Sequence, residues 1–574
     1  MTIAITPGHA MTELHPALPF FLAAILAGGL RGYLRNAVML LVPIVGAWLL
    51  YQAGEGTNHQ LVFLGYSLEP LRIDRLSILF GYLFHLAAFI AVIFSLHVRD
   101  TVQHVSAMAY IGGALGAVFA GDLLTLFLFW EIMAVSSTFL IWARRSDRSY
   151  GAAMRYLVIN VLSGVLLLAG ALFVFGDTGS LAFGEIGLVG WGGWLIFAAF
   201  GIKCAFPFVH NWLTDAYPES TPTGTVFLSA FTTKVAVYAL ARGYPGTELL
   251  VWIGAAMTCF PIFYAVIEND LRRVLAYSMI NQVGFMVVGI GIGTALAING
   301  AVAHAFNDVI FKGLLFMAMG AVLHVTGRMN GSDLGGLYKK MPLTTIFCIV
   351  GAASISAFPL FSGFVSKSMV MSAALEEGYG WVWLCLLFAS AGVFHHAGIK
   401  IPYFAFFAHD AKIPAKEPPV NMLLAMALSA TLCIAIGVYP QALYSMLPYE
   451  VDYSAYDTTH VLAQLQLLFF SALAFVWLNL RGLYPPELPS TNLDFEWVYR
   501  KVLPSGALAA GRAFSRGWSV VMGGLAKLFG EQFLGGLARS RMPDGMLFTA
   551  RPIGSTVLIT AVLLCLYLLM SYLY

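Results

Sequence analysis

The chain has 574 residues, 59% of them hydrophobic and only 10% Asp, Glu, Lys or Arg. Soluble domains carry about 25% charged residues, and disordered chains are charged and poor in apolar residues, so both classes are excluded. A net charge of +2 with no large Lys/Arg cluster also excludes a nucleic-acid partner. What remains is an integral protein of the lipid bilayer.

The N-terminal stretch MTIAITPGHAMTELHPALPF lacks a basic n-region and an A-x-A site, which reads as no cleaved signal peptide. Apolar runs then follow at 16–30, 36–53, 76–97, 104–120, 122–143, 153–175, 190–216 and 222–242. More follow at 248–267, 273–293, 295–326, 342–372, 380–409, 420–440, 460–480 and 552–574. With about 20 residues per crossing, the expected fold is all-α and polytopic, with about 14–16 transmembrane helices. Lys and Arg gather in loops after odd-numbered runs (Arg144, Arg145 and Arg148; Arg272 and Arg273; Lys339 and Lys340). That bias places those loops in the cytoplasm and both termini outside it, with Arg72, Arg75 and Arg242 as exceptions. The six cysteines stand singly in apolar runs without a C-x-x-C pair, so no disulfide framework, metal site or cofactor is expected.

Two long runs are interrupted by Ala205-Phe206-Pro207-Phe208 and Ala357-Phe358-Pro359-Leu360, 152 residues apart. Counted in runs the offset is five, an odd number, so the second copy is upside down relative to the first. Two inverted five-helix repeats with broken helices are therefore expected, an architecture of secondary transporters. The expected organisation is N-terminal helices 1–103, a first repeat 104–242 and a second, inverted repeat 248–409. Helices over 420–481, a surface segment 482–551 and a last transmembrane helix 552–574 complete it. The surface segment carries Phe514, Trp518, Val521, Leu525, Leu528 or Phe529, Phe533 and Leu537 at helical spacing, which predicts an amphipathic helix on the cytoplasmic surface or against a neighbouring subunit.

Six ionisable side chains lie well inside apolar runs: Glu131, Lys203, Lys234, Asp308, Lys312 and Lys367. Each costs about 2.5–3.5 kcal/mol at a bilayer centre, so they must face the bundle interior, a partner or water. Four lysines against two acids leave lysines over. A buried lysine whose carboxylate partner moves or protonates is a switchable proton carrier. His304, Asp308 and Lys312 share one helix face by their i, i+4, i+8 spacing, which favours a relay. His210, His324 and Lys400 are weaker candidates, and Asp122 reads as the cap of the helix leading to Glu131.

The runs LFLFWE, FPFVHNWLTDAYPESTPTGTVFLSAFTTK, HAFNDVIFKGLLF and FPLFSGFVSK occur in this order over roughly residues 70–410. In them the chain resembles the antiporter-like subunits of Mrp-type multisubunit Na+/H+ antiporters, membrane-bound hydrogenases and respiratory complex I, and most resembles the D-type member of the Mrp set. The resemblance implies that Glu131 pairs with Lys203, that Lys234, His304 and Lys312 relay the proton, and that Lys367 is the terminal exchange residue. It implies a secondary ion transporter rather than an enzyme, in a bacterial cell inner membrane. Its partners would be other membrane subunits, protons and monovalent cations (Na+, K+ or Li+). A proton-pumping subunit of an NADH–quinone oxidoreductase or hydrogenase is the alternative, with the redox chemistry on other subunits. The family usually has a second histidine where Asp308 stands, next to Lys312, and this departure is expected to alter the central relay. Asp308→Asn should therefore change the rate of cation-driven proton movement in vesicles; an unchanged rate would remove Asp308 from the relay.

Overall fold

The computed structural model describes residues 14–63, 65–489, 492–527, 535 and 553–573. The N-terminal leader reading, residues 1–13 of it, and the amphipathic positions Leu528, Phe529, Phe533 and Leu537 lie outside the described residues. Two compact units are present, residues 1–492 and 493–574.

The first unit is a helical bundle. It opens with α1 (Leu18–Gly29) and α2 (Gly32–Ala53), then the antiparallel hairpin β1 (Asn58–Phe63) and β2 (Tyr66–Arg72), then α3 (Arg75–Ser95). The sequence reading left this hairpin out. Its alternation is short and its polar residues read as a loop.

Two sets of helices follow and pair off in order. In the first set α4 (Thr101–Phe119), α5 (Leu123–Trp142) and α6 (Asp147–Thr178) lead to α7 (Gly190–Lys203), α8 (Asn211–Ala216) and α9 (Gly224–Gly243). In the second set α10 (Glu248–Ile267), α11 (Leu271–Ile292) and α12 (Ala295–Thr326) lead to α13 (Pro342–Ile355), α14 (Ser362–Glu376) and α15 (Gly380–Val393). The matching α6 and α12 are both 32 residues long, and the matching α7 and α13 are both 14. Asp122 caps α5 and bridges to Ala182, while Asp270 caps α11 and bridges to Asn330.

The two breaks share one backbone geometry. Helix α7 stops because Ala205 turns left-handed at φ 61, and α13 stops because Ala357 does so at φ 58. The Phe206 amide then donates to the Gly201 carbonyl at 3.0 Å, as the Phe358 amide does to Ala353 at 3.1 Å. Ala205 and Ala357 likewise donate to Ile202 and Ser354, each at 3.0 Å. These are paired Schellman stops, with the proline that follows preventing continuation. Phe208 at φ 72 and Leu360 at φ 74 repeat the left-handed turn beyond each proline. Non-glycine residues in that region cost about 1–3 kcal/mol each, so four at matched positions mark the breaks as retained features of both copies.

The helix of α15 continues through two wide π-helical stretches, Phe394–Lys400 and Tyr403–Phe407. Then come α16 (Val420–Val438), the short α17 (Gln441–Tyr444) and α18 (Thr458–Leu480). Among the described residues, 12 helices are long and apolar enough to cross a membrane. Both broken crossings are too divided to be among them. The chain is thus a mostly helical, multi-pass membrane protein. The second unit contains the helix Leu503–Lys527, with Phe514, Trp518, Val521 and Leu525 all exposed, and the apolar helix Ile553–Leu573.

The charged loop residues do more than mark sidedness. Arg272 is fully buried, and its guanidinium donates to the carbonyls of Pro218, Ser220 and Thr221 at 3.0–3.1 Å. It thereby fixes the turn between α8 and α9. Of the exceptions to the loop-charge rule, two are neutralised by one carboxylate: Asp74 lies 2.7 Å from Arg242 and 3.7 Å from Arg72. Asp74 also caps α3 by accepting from the Ser77 amide at 2.9 Å. Burial pushes its carboxyl up, but Arg242 and the Ser77 amide outweigh this and hold it below the ordinary value. A carboxyl depressed in the fold contributes stability above its unfolded value and loses it as pH falls through the folded one. Asp74→Ala is expected to lower stability by about 1 kcal/mol, the size of a lost cap, and to flatten the acid limb of a thermal-unfolding profile in detergent.

Candidate functional site: a buried row of lysines

Each of the four predicted lysines is buried, with Lys203, Lys234 and Lys312 fully enclosed and Lys367 at 2% exposure. Asp308 is fully enclosed as well, and Glu131 is half-buried. Their partners differ from the sequence reading at two points.

The first concerns Glu131 and Lys203. Among the described residues Glu131 makes no ion pair, and its Oε1 has no hydrogen-bond partner. The carboxyl points at α6, where a methyl group on Gly164 would fall 1.5 Å from Oε1. Only a residue without a side chain leaves that space. Lys203, the last residue of α7, donates instead to the Trp130 carbonyl at 2.8 Å and lies 4.2 Å from the centroid of the Trp130 ring. That indole is fixed in turn by Ser163, 2.9 Å from its N–H, whose hydroxyl donates to the Ala199 carbonyl at 2.7 Å. The expected ion pair is thus open, with Lys203 held by neutral groups instead.

The second concerns Asp308. It lies 2.6 Å from Lys234, not beside Lys312. The i, i+4 spacing puts Asp308 and Lys312 on one stripe, but α9 supplies a nearer ammonium from across the bundle. Lys312 donates to the Ser278 hydroxyl at 2.8 Å. The pair joins α9 of the first set to α12 of the second.

His304 bonds Ser366 at 3.0 Å through Nδ1 and Gln282 at 3.2 Å through Nε2. The Gln282 amide donates to the Asn281 oxygen at 2.6 Å, so its own oxygen faces the ring and Nε2 carries the proton. Lys367, on α14 beyond the second break, donates back to the Ile355 carbonyl at 2.8 Å and sits 5.1 Å from the centroid of the Phe285 ring. Gln282 on α11, His304 on α12 and Ser366 on α14 are thus joined by hydrogen bonds.

Of the weaker candidates, Asp122 is a cap as expected, accepting from the Thr125 amide at 2.7 Å. The His210 ring packs 4.8 Å from Phe260, and the His324 ring 4.9 Å from His97. Lys400 is fully buried rather than reaching to the surface, and pairs with Glu487 at 2.8 Å. The sequence reading missed Glu487, Ser278, Gln282 and Ser366. Polar residues in the apolar run of α11 were a usable signal for Ser278 and Gln282; Glu487, between prolines in a connecting segment, carried none. Among the described residues no three His, Cys, Asp or Glu side chains gather as a metal site.

What this arrangement can do is hold protons. Burial makes each charged lysine costly, and hydroxyl and imidazole groups stand beside them, Ser278 at Lys312 among these.

The family described as NADH:quinone oxidoreductase/Mrp antiporter, transmembrane, matches residues 120–394. The N-type membrane protein of the NADH-quinone oxidoreductase of Desulforudis audaxviator is 35% identical over 305 residues, 49% of this chain and 60% of that one. The D-type protein of the Na(+)/H(+) antiporter of Alkalihalophilus pseudofirmus is 31% identical over 289 residues, 47% of this chain and 59% of that one. The A-type protein of the Na(+)/H(+) antiporter in the same organism is 28% identical over 501 residues, 75% of this chain and 62% of that one. This chain thus spans about three fifths of the length of these relatives. In fold it is similar to a chain of the Mrp complex from Dietzia sp. (TM-score 0.69, 22% identity, 82% of this chain and all of that one). It is also similar to a chain of an archaeal membrane-bound sulfane sulfur reductase (TM-score 0.72, 22% identity, 97% of this chain and all of that one).

Removing one partner of a buried ion pair costs about 3–5 kcal/mol, whereas replacing both by apolar groups is often neutral. Asp308→Leu alone should therefore lower the unfolding temperature of the purified protein markedly, and Lys234→Met with Asp308→Leu should restore most of it. Equal losses in single and double variants would mean that the two side chains are not paired. Over residues 120–394 the chain matches the antiporter-like membrane-protein family shared by Mrp antiporters and NADH:quinone oxidoreductases.

Proposed function

We propose that the chain is the proton-translocating subunit of a multisubunit monovalent cation/proton antiporter in a bacterial cell membrane. The observation that carries this is the row of four buried lysines served by a single carboxylate pair, Lys234–Asp308, where the two helix sets meet. A structural role does not call for uncompensated ammonium groups in the middle of a bilayer.

The proposed work is a relay through two half-channels, one for each helix set. A proton arriving at Glu131 removes its charge. The carboxyl moves between the space over Gly164 and Lys203, and each move changes how readily Lys203 holds its proton. Lys234 passes its proton by way of His304 and Lys312 to Lys367, where it leaves, and this loosens Asp308. A proton released from Lys203, leaving an amine there, then reloads Lys234. Each step moves one proton and one charge, and no step needs a cofactor. The chain offers few carboxylates near the membrane centre, so the cation would bind mainly on a partner protein of the complex.

One finding favours a second reading. The 35% identity to a membrane protein of an NADH–quinone oxidoreductase supports a pump module driven by redox subunits. The same relay would serve it, with a different driving force.

The test uses vesicles from cells expressing the complete gene cluster. Dissipation of a proton gradient on adding Na+, K+ or Li+ should fall about a hundredfold in Lys203→Ala and in Glu131→Ala, the size of a lost proton carrier. Normal exchange by assembled variants would refute the relay. A gradient that responds to a quinone reductant and not to cations would select the second reading.

A further inference from the structure

Lys400 is fully buried on the π-helical continuation of α15, and it is not idle. Its ammonium donates to the carbonyls of Val266 and Glu268, each at 2.7 Å, and contacts Glu487 at 2.8 Å. Glu487 comes from the segment after α18, and its side chain is only 4% exposed. It enters over Gly331, where a methyl group would come within 3.5 Å of Oε2. Apart from Lys400, the Glu487 oxygens have no donor among the described residues.

Four residues before Lys400 stands His396, also fully buried. Neither ring nitrogen makes a hydrogen bond; the Gly392 carbonyl one turn back faces the ring, but not in bonding geometry. A buried imidazole with both nitrogens unbonded costs free energy and has no evident structural use. The π-helical stretch packs against α11, whose Ser278 hydroxyl accepts from Lys312, the central lysine of the row, and the Lys312 charge acts on His396. π-Turns inside helices occur frequently at functional positions, and this one carries both groups.

We propose that His396, Lys400 and Glu487 form a second exit from the lysine row, leading from Lys312 to the membrane side that carries the arginine- and lysine-rich loops, with Glu487 as its gate. This rests on the proton-relay reading above. The ammonium of Lys312 gives a proton to the His396 imidazole, leaving an amine and an imidazolium. The imidazolium reloads a neutral Lys400. The Lys400 ammonium gives its proton to the Glu487 carboxylate, and the neutral acid, no longer held by charge, swings out and releases it to water. The carboxylate returns to Lys400 once the latter is recharged. Lys400 passes its own proton to Glu487 before His396 reloads it, Lys312 is reloaded from the row, and one proton crosses per cycle with every group restored. The other charged and titratable groups around the path are Glu268 on α10, Arg273 on α11 and His395 on α15. Glu268 is occupied in capping, accepting from the Asn269 and Asp270 amides at 3.0 and 3.1 Å. Arg273 lies 3.8 Å from Glu268, and the His395 ring packs against Phe475 and Tyr484. None of the three stands in line with the proposed transfer.

The test is cation-driven proton exchange in vesicles holding the whole complex, with assembly checked after detergent extraction and Lys203→Ala run in parallel. Glu487→Gln and His396→Phe are each expected to slow exchange about tenfold or more, the effect of losing a positioned proton carrier. Glu487→Asp should retain most of the rate. The deciding variant is the double Lys400→Met with Glu487→Gln. A merely structural pair predicts recovery, because no unpaired charge remains; a proton path predicts continued loss. Recovery in the double variant, or exchange within about twofold of the parent in both single variants while Lys203→Ala is inactive, overturns the exit. Should Glu487→Gln fail to assemble, His396→Phe decides alone, since it removes no ion pair. Normal exchange in Lys203→Ala would instead overturn the relay itself.

Discussion

Everything in this bundle depends on the cost of charge away from water. An ammonium at the centre of a bilayer is expensive enough that each one must be shielded by packed helices and met by an oxygen. The fold answers that demand in a uniform way. Lys367 and Lys400 reach the carbonyls of Ile355 and Val266, at the ends of α13 and α10, where helices leave acceptors free. Lys203 reaches the Trp130 carbonyl within α5 at 2.8 Å.

Neutral partners of this kind leave the lysines adjustable. A carbonyl or hydroxyl accepts from an ammonium, yet its loss of the proton leaves no stranded counter-ion. Carboxylates are placed only where a definite state has to be held: Asp308 at Lys234, between the two helix sets, and Glu487 at Lys400, near one end of the bundle. Glu131 is different again. It lies over Gly164, with Oε1 unbonded and no ion pair among the described residues.

Much of this was legible in the sequence because lipid simplifies the code. Crossings appear as long apolar runs, and a charge within one stands out. The two Ala-Phe-Pro triplets located both breaks, since a proline after a helix stop leaves a local signature. Pairing was not legible. Spacing places Asp308 and Lys312 on one stripe, but the shorter path to Lys234 exists only after α9 and α12 pack together. Gly164 gave no sign that its missing side chain holds room for Glu131, because many glycines in membrane helices serve close packing alone. Arg272 read as a loop charge and is in fact a buried strut. The hairpin after α2 was lost because its strands are short and polar.

The two helix sets share their backbone and differ in chemistry. In the first set the lysine stands just before the break, as Lys203 at the end of α7. In the second set the equivalent position is Ile355, which has no charge to offer, and its carbonyl accepts from Lys367 on the far side of the break. An ammonium therefore sits at both breaks, but is delivered from opposite ends of the interrupted crossing. A lysine kept at the same position in both sets would have made the two breaks chemically equivalent. Moving it across the break removes that equivalence. Glu131 on α5 sharpens it further, since the matching position on α11 is the apolar Met279. The two sets are thus alike in backbone and distinguishable in the charged groups they carry at corresponding positions.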